Sequence, residues 1–258
     1  MMLSRYLRLV RGFLLFSACL ACALPSRAAE SDEQIIATFQ VEVKRLQNEL
    51  HQAGEDMAKV MVLQKQMQTL LTEVMGKVSP KSRAALEVGM KVMTPLMDDG
   101  IAYTGAVQKC IEANVFDYTS ASSAEIIDRR LAQLAEIERL NDGLVKRFAT
   151  INPDIEAVLN ASKLSTAEKS GFLKGFQSST GGRLGAMRAV RTLDARLYVE
   201  VRGIYGQLRE QMGKWSVKNG ELSFTDDAQA PIYNARIERI NVIAERQEVA
   251  QRQALGIK

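Results

Sequence analysis

The chain has 258 residues, of which 47% are hydrophobic and 25% are charged, and its formal net charge is +4. Residues 1–28 contain four of the 34 basic residues and no acidic residue, which leaves 30 basic against 30 acidic side chains in the rest of the chain. Nucleic-acid binding depends on a basic electrostatic footprint. A chain without that footprint is predicted to have no nucleic-acid partner.

The first 28 residues have the layout of a secretory signal peptide. Three arginines precede an apolar segment, residues 12–24, which is shorter than the roughly 20 apolar residues needed to span a bilayer. Ser26 and Ala28 then occupy the −3 and −1 positions of a signal-peptidase site. The sequence predicts cleavage before Ala29, a single mature domain of residues 29–258, and export to a bacterial periplasm.

A lipid anchor is the alternative form of processing. Bacterial lipoproteins are modified on a cysteine that follows a small residue at the end of the apolar segment. Cys19 in FSAC and Cys22 in CLAC both stand in such a context. Lipidation of either cysteine would attach the domain to the envelope membrane instead of releasing it.

The third cysteine, Cys110, would be the only thiol of the cleaved form. A lone cysteine excludes an intramolecular disulfide framework, and a domain of this size does not need one. Its helical context, AVQKCIEANV, indicates a buried structural thiol, with a reactive thiol as the alternative.

The first helical segment, residues 32–78, has the strongest periodicity. Apolar residues recur at alternating spacings of three and four from Ile36 to Val78, and Gln64 is the single exception. A continuous helix of this length would be roughly 70 Å long. Gly54 costs about 1 kcal/mol relative to Ala and leaves that continuity open. The coiled-coil pattern predicts either burial in a bundle or self-association through helix 32–78.

The next helices begin at recognisable caps. Ser79-Pro80 predicts an N-cap followed by a first-turn proline, and this helix should fold back antiparallel on the first. Ser122 and Ser165 each precede a glutamate by three residues, a spacing typical of a capping box. Each of these residues is predicted to open a further helix.

Two interruptions and two more helices complete the expected bundle. Asn152-Pro153 predicts the end of one helix, and the glycine-rich residues 177–185 predict a flexible connection. A long helix follows over about 184–212, and a last helix over about 231–254. The predicted fold class is all-α, an elongated multi-helix bundle with long antiparallel helices.

One stretch between the last two helices departs from the helical pattern. Asn219-Gly220 is a preferred pair for a type I′ turn, because both central positions need a positive φ. Pairing across this turn predicts a β-hairpin over about 215–224 with one apolar face. That face contains Trp215, Val217, Leu222 and Phe224. We expect the hairpin to act as a structural staple, with recognition as the alternative.

In the C-terminal segment, a long helix, the motif VKNGELSF, an acidic cap and the motif IYNARIERI follow one another. Through Asn219, Gly220, Phe224, Tyr233 and Asn234, this segment resembles a family of bacterial envelope lipoproteins of unknown function. The resemblance implies an exported helical bundle with one short hairpin. It carries over no catalytic residue.

Residue types that commonly support catalysis are scarce. His51 is the only histidine, so Ser-His-Asp triads and histidine-based zinc sites have little basis. We therefore predict a protein that is not an enzyme and that uses no metal or cofactor.

Residues 163–214 contain ten basic and four acidic side chains. Arg188, Arg202 and Arg209 are separated by multiples of seven and should share one face of the predicted helix 184–212. That face would contact anionic lipid headgroups or an acidic partner. Alternatively, it would pair with the acidic segment 125–160 inside the same bundle.

Together these features predict an exported envelope protein that acts as a non-enzymatic helical binding or structural module for an unknown protein partner. One alternative is a helical component of a secretion or conjugation apparatus in the periplasm. The other is a peripheral lipid-binding protein that uses the basic face of helix 184–212.

Overall fold

A computed structural model of the protein describes residues 30–53 and 56–255. They form six α-helices, a short 3₁₀ helix and one antiparallel hairpin, which confirms the all-α bundle and the position of its hairpin. The helices are α1 (Glu30–Ala53), α2 (Met57–Lys77), α3 (Pro80–Glu112), α4 (Ala124–Ala161), α5 (Thr166–Glu210) and α6 (Gln229–Leu255), with the 3₁₀ helix at Tyr118–Ser120 and strands β1 (Trp215–Lys218) and β2 (Glu221–Phe224). The predicted signal peptide, with Cys19 and Cys22, lies outside the described residues.

The segment predicted as helix 32–78 is not continuous, because the chain reverses between α1 and α2. Asp56 caps the start of α2 by accepting a hydrogen bond from the Lys59 amide (2.9 Å). At the other end of the pair, the Asp32 carboxylate accepts hydrogen bonds from the Ser79 amide (2.9 Å) and the Ser82 hydroxyl (2.6 Å). The start of α1 therefore lies beside the end of α2.

The heptad pattern of this segment serves an internal seam. From Ile36 to Val78, every heptad position whose side chain is described is buried, including Gln64. Burial inside the chain is thus the observed use of the pattern. Any self-association of this segment has to use a face other than the heptad seam.

Helices α4 and α5 both run through the predicted interruptions. Pro153 lies inside α4, between the buried residues Ile151 and Ile155. Residues 177–185 are part of α5, so the predicted helix 184–212 is the second half of a longer helix. Helix propensity is a weak prior, and packing of an apolar face overrides it here.

The predicted N-caps are present, except that the cap of α4 lies one residue later than predicted. Ser79 and Ser165 cap α3 and α5, and Ser165 forms the full capping box with Glu168. The N-cap of α4 is Ser123, whose hydroxyl accepts from the Ile126 amide, and not the predicted Ser122.

Cross-helix contacts fix the arrangement of the long helices. Lys81 near the start of α3 pairs with Glu168 near the start of α5 (3.3 Å), and Tyr103 further along α3 donates to Asp194 further along α5 (3.2 Å). Helices α3 and α5 are therefore parallel to each other, and α4, which connects them, is antiparallel to both. Helix α6 runs antiparallel to α5, because Gln207 near the end of α5 donates a hydrogen bond to the carbonyl of Gln229 at the start of α6 (2.9 Å). None of the helices in the described part of the chain contains a stretch that could span a bilayer.

The connection between α3 and α4 is held by a buried arginine. Arg130 donates to the carbonyls of Ala113 (3.3 Å) and Asp117 (2.9 Å) and to the Ser120 hydroxyl (2.7 Å). It also reaches the Tyr205 hydroxyl on α5 (3.4 Å). One guanidinium thus satisfies several acceptors of the loop and ties the loop to α5.

The hairpin has the predicted register and turn. Trp215 pairs with Phe224, and Asn219 and Gly220 have φ values of 53° and 79°. The Trp215 indole donates to the Leu208 carbonyl at the end of α5 (2.9 Å), and the Phe224 ring lies 5.9 Å from that of Tyr233 on α6. Trp215, Leu222 and Phe224 pack against the core. The hairpin therefore contacts both helices that it connects.

Val217 differs from the prediction that all four apolar hairpin residues point into the protein. Its side chain is 43% exposed, because it lies next to the solvent-exposed hairpin tip, residues 218–221. Three of the four residues thus carry the packing.

Trp215→Ala is expected to lower the free energy of unfolding by about 2 kcal/mol, because it removes a half-buried aromatic ring and the donor to Leu208. Urea denaturation should be followed by circular dichroism, because Trp215 is the only tryptophan and its substitution removes the tryptophan fluorescence signal. Val217→Ala is the control and should stay within about 0.5 kcal/mol of the parent. Equal stability of the two variants would contradict the role of the hairpin as a structural staple.

Candidate functional site

A groove of about 510 Å³ runs along the surface between α5 and α6, and we call it the α5–α6 groove. On each helix its lining residues recur every three or four positions, in some cases as adjacent pairs, so each helix contributes one face. They are Arg196, Val199 and Glu200 from α5, and Glu238, Arg239, Val242, Ile243 and Arg246 from α6.

The floor of the groove exposes apolar surface. Val199 is 60% exposed and Val242 is 42% exposed. Ile232 and Val249, which are also exposed, fall with Val242 within an arc of roughly 100° on α6, at 100° per residue. This arc lies beside the buried face of α6, which contains Ile240 and Ala250, so the apolar surface of the helix extends past its buried face. The exposed part of that surface is a candidate interaction surface.

Positive charge dominates the walls of the α5–α6 groove. Glu200 accepts hydrogen bonds from Arg236 (3.0 Å) and Arg239 (2.8 Å). Burial alone would raise the pKa of Glu200, but these two guanidinium groups hold it below its ordinary value. Arg196 and Arg246 are exposed and form no ion pair with any described residue. The exposed Glu238 on the α6 wall also forms no ion pair with a described residue, so the groove keeps two unpaired arginines and one unpaired glutamate.

A glycine on α5 allows α6 to approach closely at this point. A Cβ added at Gly203 would collide with the guanidinium of Arg236. The absence of a side chain lets Arg236 lie against α5 and reach Glu200.

Behind the groove, a buried polar cluster joins α3, α5 and α6. The Asp194 carboxylate accepts hydrogen bonds from Gln247 of α6 (2.6 Å) and Tyr103 of α3 (3.2 Å). It also forms an ion pair with Arg191 (3.1 Å), which is 4% exposed. Burial raises the pKa of Asp194 to about 6, while the charge of Arg191 and the two hydrogen bonds oppose that rise.

Two further residues complete the buried polar cluster. Tyr198 shares a hydrogen bond with Tyr103 through their hydroxyls, and Asn141 of α4 donates to the Arg191 carbonyl (2.8 Å). The Arg191 guanidinium lies 4.5 Å from the centre of the Tyr103 ring, within cation–π distance. The cluster therefore links four helices, and its polar groups face one another instead of solvent.

The predicted basic face of α5 is largely neutralised inside the bundle. Arg209 pairs with Asp128 (3.0 Å), and Arg202 pairs with Glu138. Arg188 is exposed and has no ion-pair partner in the described part of the chain. Two of the three arginines thus contact the acidic segment on α4, which was the alternative to anionic lipid.

Cys110 is buried, as the sequence indicated, and its thiol lies 3.6 Å from the Gln133 carbonyl. Burial raises the pKa of Cys110 to about 12. The thiolate that a reactive cysteine needs is therefore disfavoured. The candidate lipidation residues, Cys19 and Cys22, lie outside the described residues, and the side chain of His51 is not described.

The sequence-based search missed the α5–α6 groove and the buried polar cluster. The spacing of Ile232, Val242 and Val249 on the last helix is a signal for an apolar face wider than packing against α5 requires. No local signal distinguishes Arg191 and Asp194 from surface charges, because their burial depends on three other helices.

Within the described residues, no group of His, Cys, Asp and Glu side chains is arranged to hold a metal ion. No protein-family model, no curated protein and no solved structure matches this chain. The resemblance of its C-terminal segment to envelope lipoproteins therefore stays a prediction.

Proposed function

We propose that this chain is an exported, non-enzymatic helical binding module of the bacterial cell envelope. In this proposal, the α5–α6 groove binds an amphipathic helix from a protein partner, and that helix carries acidic residues on both sides of its apolar face. The observation that carries the proposal is the pair of exposed valines, Val199 and Val242, between the unpaired Arg196 and Arg246.

The geometry of the groove favours a helix as its occupant. Asp194 of α5 meets Gln247 of α6, so Arg196 and Arg246 lie at nearly the same level on opposite walls. A partner helix lying along the floor would place its apolar side chains on the two valines, as in helix-in-groove recognition. Acidic residues on its two flanks would meet the arginines, and complementary charge of this kind gives specificity and fast association.

The cellular setting rests on residues 1–28, whose composition predicts export to the periplasm or a lipid anchor at Cys19 or Cys22. A component of a secretion or conjugation apparatus would use the same groove, so that alternative differs in the partner and not in the contact. Lipid binding by the basic face of α5 has less support, since Arg202 and Arg209 already pair with α4.

Two synthetic peptides test the proposed occupant. Each is about 18 residues, or five helical turns, long; both carry leucine on one face, with glutamate on the flanks of one and lysine on the flanks of the other. Fluorescence anisotropy should show that the glutamate peptide binds at least about tenfold more tightly than the lysine peptide. Added salt should reduce that difference.

Val242→Glu locates the binding. The new carboxylate would interrupt the apolar floor and face the leucine side of the peptide, so we expect the glutamate peptide to bind at least about tenfold more weakly. Val41→Glu is the control, because Val41 is 66% exposed on α1 and does not line the groove. Equal loss of binding in both variants, or in neither, would contradict the proposal.

A further inference from the structure

A second surface, separate from the α5–α6 groove, lies on the side of α2 that faces away from its buried seam. Its seven exposed residues fall within an arc of roughly 120°, at 100° per residue. We call this surface the outer face of α2; its residues are Val62, Lys65, Gln66, Thr69, Thr72, Glu73 and Gly76. Val62 is 53% exposed, and a groove of about 390 Å³ runs beside it between α1 and α2.

The outer face of α2 is self-complementary about its centre, Thr69. Lys65 and Glu73 stand at equal distances on either side of Thr69, and so do Val62 and Gly76. In an antiparallel pair related by a two-fold axis at Thr69, Lys65 meets Glu73 of the second copy, and Glu73 meets Lys65. An isologous interface requires this reciprocity.

The side chains at Val62 and Gly76 obey the same two-fold symmetry as the charges of Lys65 and Glu73. The position of a Cβ at Gly76 has no heavy atom within 4 Å, so the surface is open at this glycine. The same two-fold axis places the exposed Val62 of one copy over Gly76 of the other. The glycine therefore leaves room for an apolar side chain from the other copy.

The polar side chains of the outer face of α2 are compatible with an interface between two copies. The hydroxyls of Thr69 and Thr72 donate to the carbonyls of Lys65 (3.1 Å) and Gln68 (3.0 Å), so covering the face leaves neither hydroxyl donor without a partner. Lys65 and Glu73 form no ion pair elsewhere in residues 30–53 and 56–255. The two charges remain free to pair between copies.

We propose that the protein forms an antiparallel homodimer through the outer face of α2, with the two-fold axis at Thr69. A contact centred on one helix buries less than roughly 1,200 Å², which places the dimer among weak, reversible associations. The two α5–α6 grooves stay outside the contact. The dimer therefore presents two copies of the proposed binding site, and its existence does not depend on the function of that site.

Cysteine cross-linking tests the axis directly. Thr69→Cys, in the Cys110→Ala background of the exported protein, brings two cysteines together on the axis, within the roughly 7 Å Cα separation that a disulfide needs. Lys59→Cys, in the same background, is the control, because its two copies lie roughly 30 Å apart at 1.5 Å per residue. Oxidation should give covalent dimer for Thr69→Cys and not for Lys59→Cys. Equal yields from the two variants overturn the proposal.

Charge reversal tests the pairing independently. Lys65→Glu and Glu73→Lys each place like charges opposite each other twice, and each should weaken association at least about tenfold in sedimentation equilibrium. The double variant restores both reciprocal pairs and should return to within about threefold of the parent. A double variant as weak as the single variants overturns the pairing, as does a parent that stays monomeric up to millimolar concentration. Binding of the glutamate peptide should be unchanged in all three variants.

Discussion

Arg191→Met is expected to lower the free energy of unfolding by about 3 to 5 kcal/mol at neutral pH. The substitution leaves the fully buried Asp194 carboxylate without its counter-charge, and breaking a buried ion pair from one side typically costs that much. For a domain of this size, the midpoint of thermal unfolding should fall by about 10 °C. Urea denaturation and calorimetry measure both quantities.

The loss from Arg191→Met should depend on pH. Burial already raises the pKa of Asp194 to about 6, and removing Arg191 raises it further. A group whose pKa is higher in the folded state stabilises the fold at low pH and loses that contribution as the pH rises through the folded pKa. The difference between parent and variant should therefore be small near pH 5 and reach its full size above neutral pH.

Two further variants separate the buried charge from lost packing. Arg191→Met combined with Asp194→Leu removes both charges, so it should recover much of the stability and lose the pH dependence. Arg209→Met breaks the exposed pair with Asp128 and should cost at most about 1 kcal/mol. If the double variant were as unstable as Arg191→Met alone, the unpaired carboxylate would not be the cause.

Arg130→Met is expected to lower the free energy of unfolding by about 2 to 4 kcal/mol. It leaves the Ala113 carbonyl without its donor, and an unsatisfied buried acceptor costs about 1 to 3 kcal/mol. It also removes one donor each from the Asp117 carbonyl, which keeps the Ser120 hydroxyl, and from the Ser120 side chain. Hydrogen exchange should show faster exchange of the amides in residues 113–121 than in the rest of the bundle.

Arg129→Met is the matched control for Arg130. Arg129 is the preceding residue on α4 and is exposed, so its substitution should stay within about 0.5 kcal/mol of the parent. Lysine at position 130 should restore little, because an ammonium group cannot reproduce the fork of a guanidinium. Full stability of Arg130→Lys would show that charge alone, and not the shape of the donor, holds the loop.

Local signals in the sequence predicted local structure well. The Asn219-Gly220 pair fixed the register of the hairpin because its turn geometry depends on only two residues. Ser79 and Ser165 marked helix starts for the same reason, since a cap satisfies amides within the next turn. The all-α class followed from periodicity alone.

Features that depend on distant contacts were missed or misplaced. Pro153 and residues 177–185 have poor helix propensity, yet neighbouring helices bury the residues around them and keep the helices continuous. The heptad repeat spans the reversal between α1 and α2 without a change, because both helices contribute to one seam. The α5–α6 groove arises from the relative position of two helices, which no single stretch of sequence specifies.

The order in which the helices pack has a consequence for how the chain folds. The most extensive contacts join helices that are neighbours in sequence, from α1 with α2 to α5 with α6. Such a topology has a low contact order, and helical proteins of low contact order reach the native state in microseconds to milliseconds. If the chain is exported as proposed, with its N-terminus emerging first, each helix pair can form as soon as its second helix appears. Little apolar surface is then exposed to solvent before the helix that covers it has been translocated.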